Sequence, residues 1–194
     1  MRKPAGVVLF PGAGSSAGHP SLVAMEEALA PLPVRRVDFP YRRAGRRAPD
    51  RAPVLVACVK EEVRAFAREL GVPTSRIAIG GRSMGGRMCS MAVADTDDPL
   101  RVAALVLVSY PLHPPAHPDR KRTAHLPDVD VPVLCISGTK DTFGSRAELR
   151  RAFRRVPGGV TWVFLEGKGH DLRGCDSSVA RTVSEWLVKR RPRG

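Results

Sequence analysis

Short apolar runs alternate with longer amphipathic stretches along the chain, a rhythm that predicts parallel α/β architecture. Six runs rich in Val, Ile and Leu predict strands at Gly6–Phe10, Val34–Phe39, Arg76–Ile79, Val102–Ser109, Val133–Ser137 and Val160–Leu165. They show little polar alternation, as expected of strands covered by helices on both faces. Between them, Pro20–Ala30, Pro53–Leu70, Gly85–Asp95, Arg146–Arg155 and Ser178–Arg190 read as helices. The second repeats apolar residues at Val56, Val59, Val63, Phe66 and Leu70, which buries one face, and Gly71 and Pro73 end it. The rhythm fails once, at Tyr110–Pro132, where Pro111, Pro114, Pro115 and Pro118 exclude a long helix. Long connections inside compact domains are often functional.

Composition narrows the class without naming a chemistry. At 194 residues a single domain spanning 1–194 is expected, and 43% hydrophobic residues supply a core that excludes disorder. Apolar runs such as Val102–Val108 fall far short of the ~20 residues a membrane span needs. The apolar run within Met1–Phe10 is too short for a signal peptide. Cys58, Cys89, Cys135 and Cys175 lack CxxC spacing, which fits reduced thiols and a cytoplasmic location. The net charge of +13 comes mainly from Arg, whose pairs are spread widely rather than gathered on one element, and only ten of the 194 residues are aromatic. A nucleic-acid binder concentrates its basic residues and interleaves aromatics, so the charge reads as solvated surface and no nucleic-acid partner is expected.

The candidate chemistry begins at Gly81-Arg82-Ser83-Met84-Gly85, a G-x-S-x-G directly after a predicted strand and opening a predicted helix. That context is a nucleophile elbow, in which a Ser is held above the sheet on a strained turn. A second match, Gly14-Ser15-Ser16-Ala17-Gly18, lies several residues past its strand in a loop that stays open until Pro20, so it is no sharp elbow. Pro11-Gly12-Ala13-Gly14 instead occupies the place of an oxyanion loop. Gly12-Ala13-Gly14-Ser15-Ser16-Ala17, with Asp38 downstream, also imitates a dinucleotide fingerprint. A fingerprint needs a helix opening at the second Gly, and Gly18 and Pro20 oppose one.

A serine nucleophile requires a base and an orienting carboxylate. Asp141 and His170 follow the last two predicted strands, so Ser83, Asp141 and His170 stand in the order found in hydrolases with a nucleophile elbow. His113 follows a strand end and is a candidate for lining the pocket. His113-x-x-x-His117 is not a metal pair, because Pro114 and Pro115 forbid the helix that would align it; no metal or cofactor is required.

Gly80-Gly81-Arg82-Ser83-Met84-Gly85-Gly86-Arg87, Ser109-Tyr110-Pro111-Leu112-His113-Pro114, Ser137-Gly138-Thr139-Lys140-Asp141 and Gly169-His170 together resemble a small α/β-hydrolase-like family. It includes animal testis-expressed Tex proteins, a subunit of the NSL chromatin complex and bacterial relatives labelled dienelactone-hydrolase-like. The resemblance covers nearly the whole chain. It implies a single-domain α/β-hydrolase fold without a cap domain, with Ser83, Asp141 and His170 at the triad positions. Pro11 departs from it, standing where relatives commonly carry His.

The expectation is then a doubly wound, six-stranded parallel sheet in the order 2-1-3-4-5-6, with a crevice where the order reverses. Ser83 would attack a small soluble ester, His170 would act as base and then acid, and Asp141 would orient the imidazole. The backbone N–H groups of Ala13 and Met84 would form the oxyanion hole. Arg42 and Arg46, on the same sheet edge, would favour anionic esters. Two other readings stay open: an interaction module that keeps the fold without turnover, and a dinucleotide-binding protein. The sequence leaves the oligomeric state undetermined.

Overall fold

Residues 3–188 are described by a computed structural model. Six parallel strands, β1 (Gly6–Phe10), β2 (Val34–Arg36), β3 (Ile77–Arg82), β4 (Ala104–Val108), β5 (Val133–Gly138) and β6 (Val160–Leu165), form one sheet ordered β2-β1-β3-β4-β5-β6. This is the expected order, reversing between β1 and β3. The helices are α1 (Pro20–Leu29), α2 (Pro40–Arg43), α3 (Ala52–Glu69), α4 (Met84–Val93), α5 (Arg146–Ala152) and α6 (Asp176–Val188). The last two residues of the Ser178–Arg190 helix expected from sequence lie outside the described residues.

Strand side chains alternate between two cores even where every residue is apolar. Val7 and Leu9 of β1 pack in the core that holds Leu22 and Met25 of α1 and Val179 and Val183 of α6. Val8 and Phe10 pack in the core formed with Val59 and Val63 of α3, Met88 of α4 and Leu149 of α5. The edge strands β2 and β6 are only half-buried, which corrects the expectation that all six are covered on both faces. In β6, Trp162 and Phe164 stack in parallel with ring centroids 5.4 Å apart, and Arg146 covers the Phe164 face. An apolar run reads alike whether one face or two are covered, which is why sequence did not separate them.

Two boundaries bear on the site. The second strand ends at Arg36 rather than Phe39, because Pro40 opens α2, with its fixed φ suited to a helix start. The third continues past Ile79 to Arg82, pairing through Gly80 and Gly81 with Val106 and Leu107 of β4. A Cβ at Gly80 would overlap the Val106 carbonyl, so glycines that look like loop residues are strand residues here.

Residues 110–132 hold one short 3₁₀ turn, Leu126–Asp128, and otherwise fold back on the end of β4. The buried Tyr110 hydroxyl donates to the Arg122 carbonyl at 2.7 Å, and the Arg122 N–H donates to the Leu112 carbonyl at 2.8 Å.

Candidate active site

Ser83 sits between β3 and α4 with φ +50° and ψ −117°, a conformation costing a non-glycine residue about 1–3 kcal/mol. The surrounding packing holds it there. The Ser83 N–H donates to the Val108 carbonyl of β4 at 2.8 Å. A Cβ at Gly81 or Gly85 would collide with the Phe10 carbonyl oxygen, so the motif glycines let the end of β1 press against the elbow. The loop after β1 thereby runs beside the serine, where a Cβ on Gly12 would lie 3.5 Å from that of Ser83.

Asp141 and His170 reach Ser83 from the ends of β5 and β6. A Cβ at Gly138 would overlap the Lys168 carbonyl, and the Lys140 N–H donates to that carbonyl at 2.9 Å, so the two loops are locked together. The buried Asp141 carboxylate accepts from the Phe143 N–H at 2.8 Å. Its two oxygens lie 3.0 and 2.9 Å from His170 Nδ1. His170 Nε2 is 2.8 Å from Ser83 Oγ. With the Nδ1 proton donated to Asp141, Nε2 accepts from the serine hydroxyl, the arrangement that activates a weak nucleophile. The Phe143 ring covers the imidazole at a centroid distance of 4.1 Å. Arg82 donates to the His170 carbonyl at 3.1 Å and meets His19 Nε2 at 2.9 Å, tying the His170 loop to the start of α1.

The segment after β1 resolves the two competing motifs. Its helix does not open at Gly14: α1 begins at Pro20, with the His19 side chain accepting from the Ser21 N–H. Asp38 accepts the Ala17 N–H at 2.8 Å, so this carboxylate fixes the loop instead of standing free for a ribose. That removes the geometry a dinucleotide fingerprint requires. The Tyr41 hydroxyl donates to the Ala13 carbonyl at 2.8 Å, holding the loop against the site.

Ser83 and His170 line a cleft of about 620 Å³ together with Ala13, Met84, Arg87 and Arg122. His113 does not line it, which corrects the sequence expectation. The residue is buried, donates its N–H to the Phe143 carbonyl at 3.1 Å and places Nε2 3.7 Å from Glu148 of α5. Following a strand end says nothing about which way a side chain turns. Arg42 and Arg46 do not line the cleft either; Arg46 pairs with Asp50 at 2.8 Å on the exposed surface. The arginines at the cleft are Arg82, Arg87 and Arg122. Arg87 was legible in principle, lying four residues past Ser83 on a predicted helix. Arg122, Phe143 and Tyr41 had no periodic signal.

Among similar solved structures are a dienelactone hydrolase from Anabaena variabilis (22% identity, TM-score 0.73, 96% of this chain and 87% of that one covered). Est1E of Butyrivibrio proteoclasticus with ferulic acid bound is similar at 18% identity and TM-score 0.72, covering 97% of this chain and 90% of that one. A propionate-bound esterase of Thermogutta terrifontis aligns at 19% identity and TM-score 0.68, covering 96% and 84%. At these identities the likeness is one of fold. Family assignment rests on sequence: a family model described as an alpha/beta hydrolase domain matches residues 3–188, nearly the whole chain, and the protein belongs to that family.

Proposed function

We propose that the protein hydrolyses small carboxylic esters through Ser83, His170 and Asp141. The observation carrying this reading is the continuous chain of hydrogen bonds from Ser83 Oγ through His170 to Asp141, on a strained elbow at a cleft. Esterases among the similar structures support the reaction class.

In the acylation step, His170 Nε2 takes the hydroxyl proton as Ser83 Oγ bonds to the ester carbonyl carbon. The negative charge that develops on the carbonyl oxygen is met by the N–H groups of Ala13 and Met84, both at the cleft. Collapse breaks the ester C–O bond, and the imidazolium returns its proton to the leaving alkoxide. Water then bonds to the acyl carbon as His170 takes one of its protons. Collapse breaks the acyl–Oγ bond, His170 returning that proton to Ser83 Oγ as the acyl group leaves as a carboxylic acid. Asp141 holds the imidazole in the tautomer that accepts from Ser83 and stabilises the imidazolium between transfers. A cleft of about 620 Å³ suits a small-molecule substrate.

A fluorophosphonate probe tests the nucleophile directly. Labelling of the wild-type protein that is lost in Ser83→Ala is the expected result. Folded wild-type protein that resists labelling and cleaves no short acyl ester would overturn the proposal in favour of a non-catalytic interaction module.

A further inference from the structure

Three arginines line the cleft, and their surroundings differ. Arg82 is engaged by His19 and the His170 carbonyl. Burial lowers its pKa, while Asp171, Asp176 and Asp141 oppose that effect. Arg87 has no such company. Among the described residues it forms no ion pair, and its Nε is shut away from water without a hydrogen-bond partner. Burial lowers its pKa too; Tyr110 and Arg122 act on it, and the His125 imidazole also lies within its field, with no carboxylate among them. Arg122 likewise has no ion pair among the described residues, and its guanidinium reaches only the Pro111 carbonyl, at 3.4 Å. Elsewhere Arg35, Arg36, Arg43, Arg46 and Arg64 each meet a Glu or Asp.

Guanidinium groups stay protonated in proteins, so the cleft carries two uncompensated positive charges, one of them half-buried with its Nε shut from water. Such an arrangement is costly unless something supplies the missing anion. The fold holds it in place nonetheless. Arg87 lies one helical turn beyond Ser83, its N–H bonded to the Ser83 carbonyl at 3.1 Å, a rise of about 6 Å along α4. Arg122 is brought back to the cleft by two backbone clamps, the Tyr110 hydroxyl and the Leu112 carbonyl. The long connection after β4 thus returns a cation to the nucleophile's cleft.

We propose that Arg87 and Arg122 form a subsite for an oxyanion, a carboxylate or phosphate, carried by the substrate a few atoms from its ester bond. The preferred substrates are then anionic esters. This rests on the hydrolase reading for its chemistry, but the subsite itself is a binding claim. Planar guanidinium forks take such oxyanions bidentately, and the half-buried setting weakens screening by salt.

Binding is therefore measured by titration calorimetry in Ser83→Ala protein, where turnover plays no part. The probes are 4-acetoxybenzoate and 4-acetoxyphenyl phosphate against methyl 4-acetoxybenzoate, and phenyl hydrogen glutarate against phenyl pentanoate. These pairs place the charge on the alcohol and acyl sides in turn and separate carboxylate from phosphate. At least one charged probe should bind about 10–100-fold tighter than its neutral partner, the range for hydrogen bonds to charged groups. That advantage should fall at least about threefold on adding Arg87→Met or Arg122→Gln, and survive Arg42→Ala/Arg46→Ala. Arg122→Gln lies on a surface connection, so it decides the matter if Arg87→Met fails to fold. Equal binding within every pair, or an advantage that survives loss of both arginines, would overturn the subsite. Failure of the hydrolase reading shows separately, as wild-type protein that binds these esters and cleaves none of them.

Discussion

Two sets of polar side chains share one cleft and are treated in opposite ways. Around Ser83, His170 and Asp141 the chemistry is closed: each group meets the next, and Asp141 also accepts a backbone N–H. Around Arg87 and Arg122 it is open: Arg87 Nε is buried without a partner, and neither guanidinium meets a carboxylate among the described residues. The first set is pre-organised whatever the cleft contains. The second is electrostatically incomplete until something arrives. The difference teaches where to look for reaction and where to look for selectivity, since only the closed set is wired to move a proton.

The comparison breaks most easily at the closed set. Ser83→Ala, and separately His170→Ala, should lower kcat for a short acyl ester by about 10⁴–10⁶ while the melting temperature changes little. Asp141→Asn should cost at most about 10⁴, because it disturbs tautomer and charge without removing the nucleophile. Near-wild-type kcat in either alanine variant would show that the hydrogen-bonded chain is structural.

The oxyanion loop offers the next largest effect. Ala13→Pro deletes a backbone donor and should lower kcat by about 10²–10³, whereas Ala13→Ser keeps the N–H and should cost less than about tenfold. Equal losses in steady-state kinetics would point to sterics. A smaller effect sharpens the open side and is read in stability. Burial, reinforced by Arg87, pushes the His125 imidazole from its ordinary value near 6.5 down to about 4. The unfolded chain therefore binds the proton more readily, so this stability is whole above about pH 6.5 and is lost as pH falls towards 4. At its limit the loss is about 3 kcal/mol. Chemical denaturation at pH 7 and pH 5 should show a smaller acid loss in His125→Gln; an unchanged loss would place the titration elsewhere. Smallest of all, Arg42→Ala/Arg46→Ala should leave kcat/KM for a neutral ester within about twofold, since exposed ion pairs are worth about 0–1 kcal/mol.

The arginines show why parts of the site escaped the sequence. Arg42 and Arg46 stood out because they are clustered, yet clustering along a chain says nothing about direction, and Arg46 turned to Asp50. Arg122 is inconspicuous in a Pro-rich connection and reaches the cleft only because Tyr110 and Leu112 fold that connection back. His113 failed for a related reason: a strand end fixes where a residue is, while the ring's neighbours, the Pro114 carbonyl and Glu148, decide where it goes. The elbow was legible because its constraint is local. Gly81 and Gly85 must lack side chains where β1 presses on the turn, and that requirement is written at fixed distances from Ser83.

Sequence by itself therefore determined the alternation of strands and helices, the elbow and the order of Ser83, Asp141 and His170, because these follow from hydrophobic period and backbone sterics, while the sheet order was expected from the resemblance to a doubly wound hydrolase family. Tertiary structure alone decided the rest. Asp38 is engaged by Ala17, β6 is left half-exposed at the sheet edge, and Arg87 and Arg122, 35 residues apart, line one cleft. Those outcomes depend on which distant groups meet and which are left unpaired, and no local pattern in the chain encodes that.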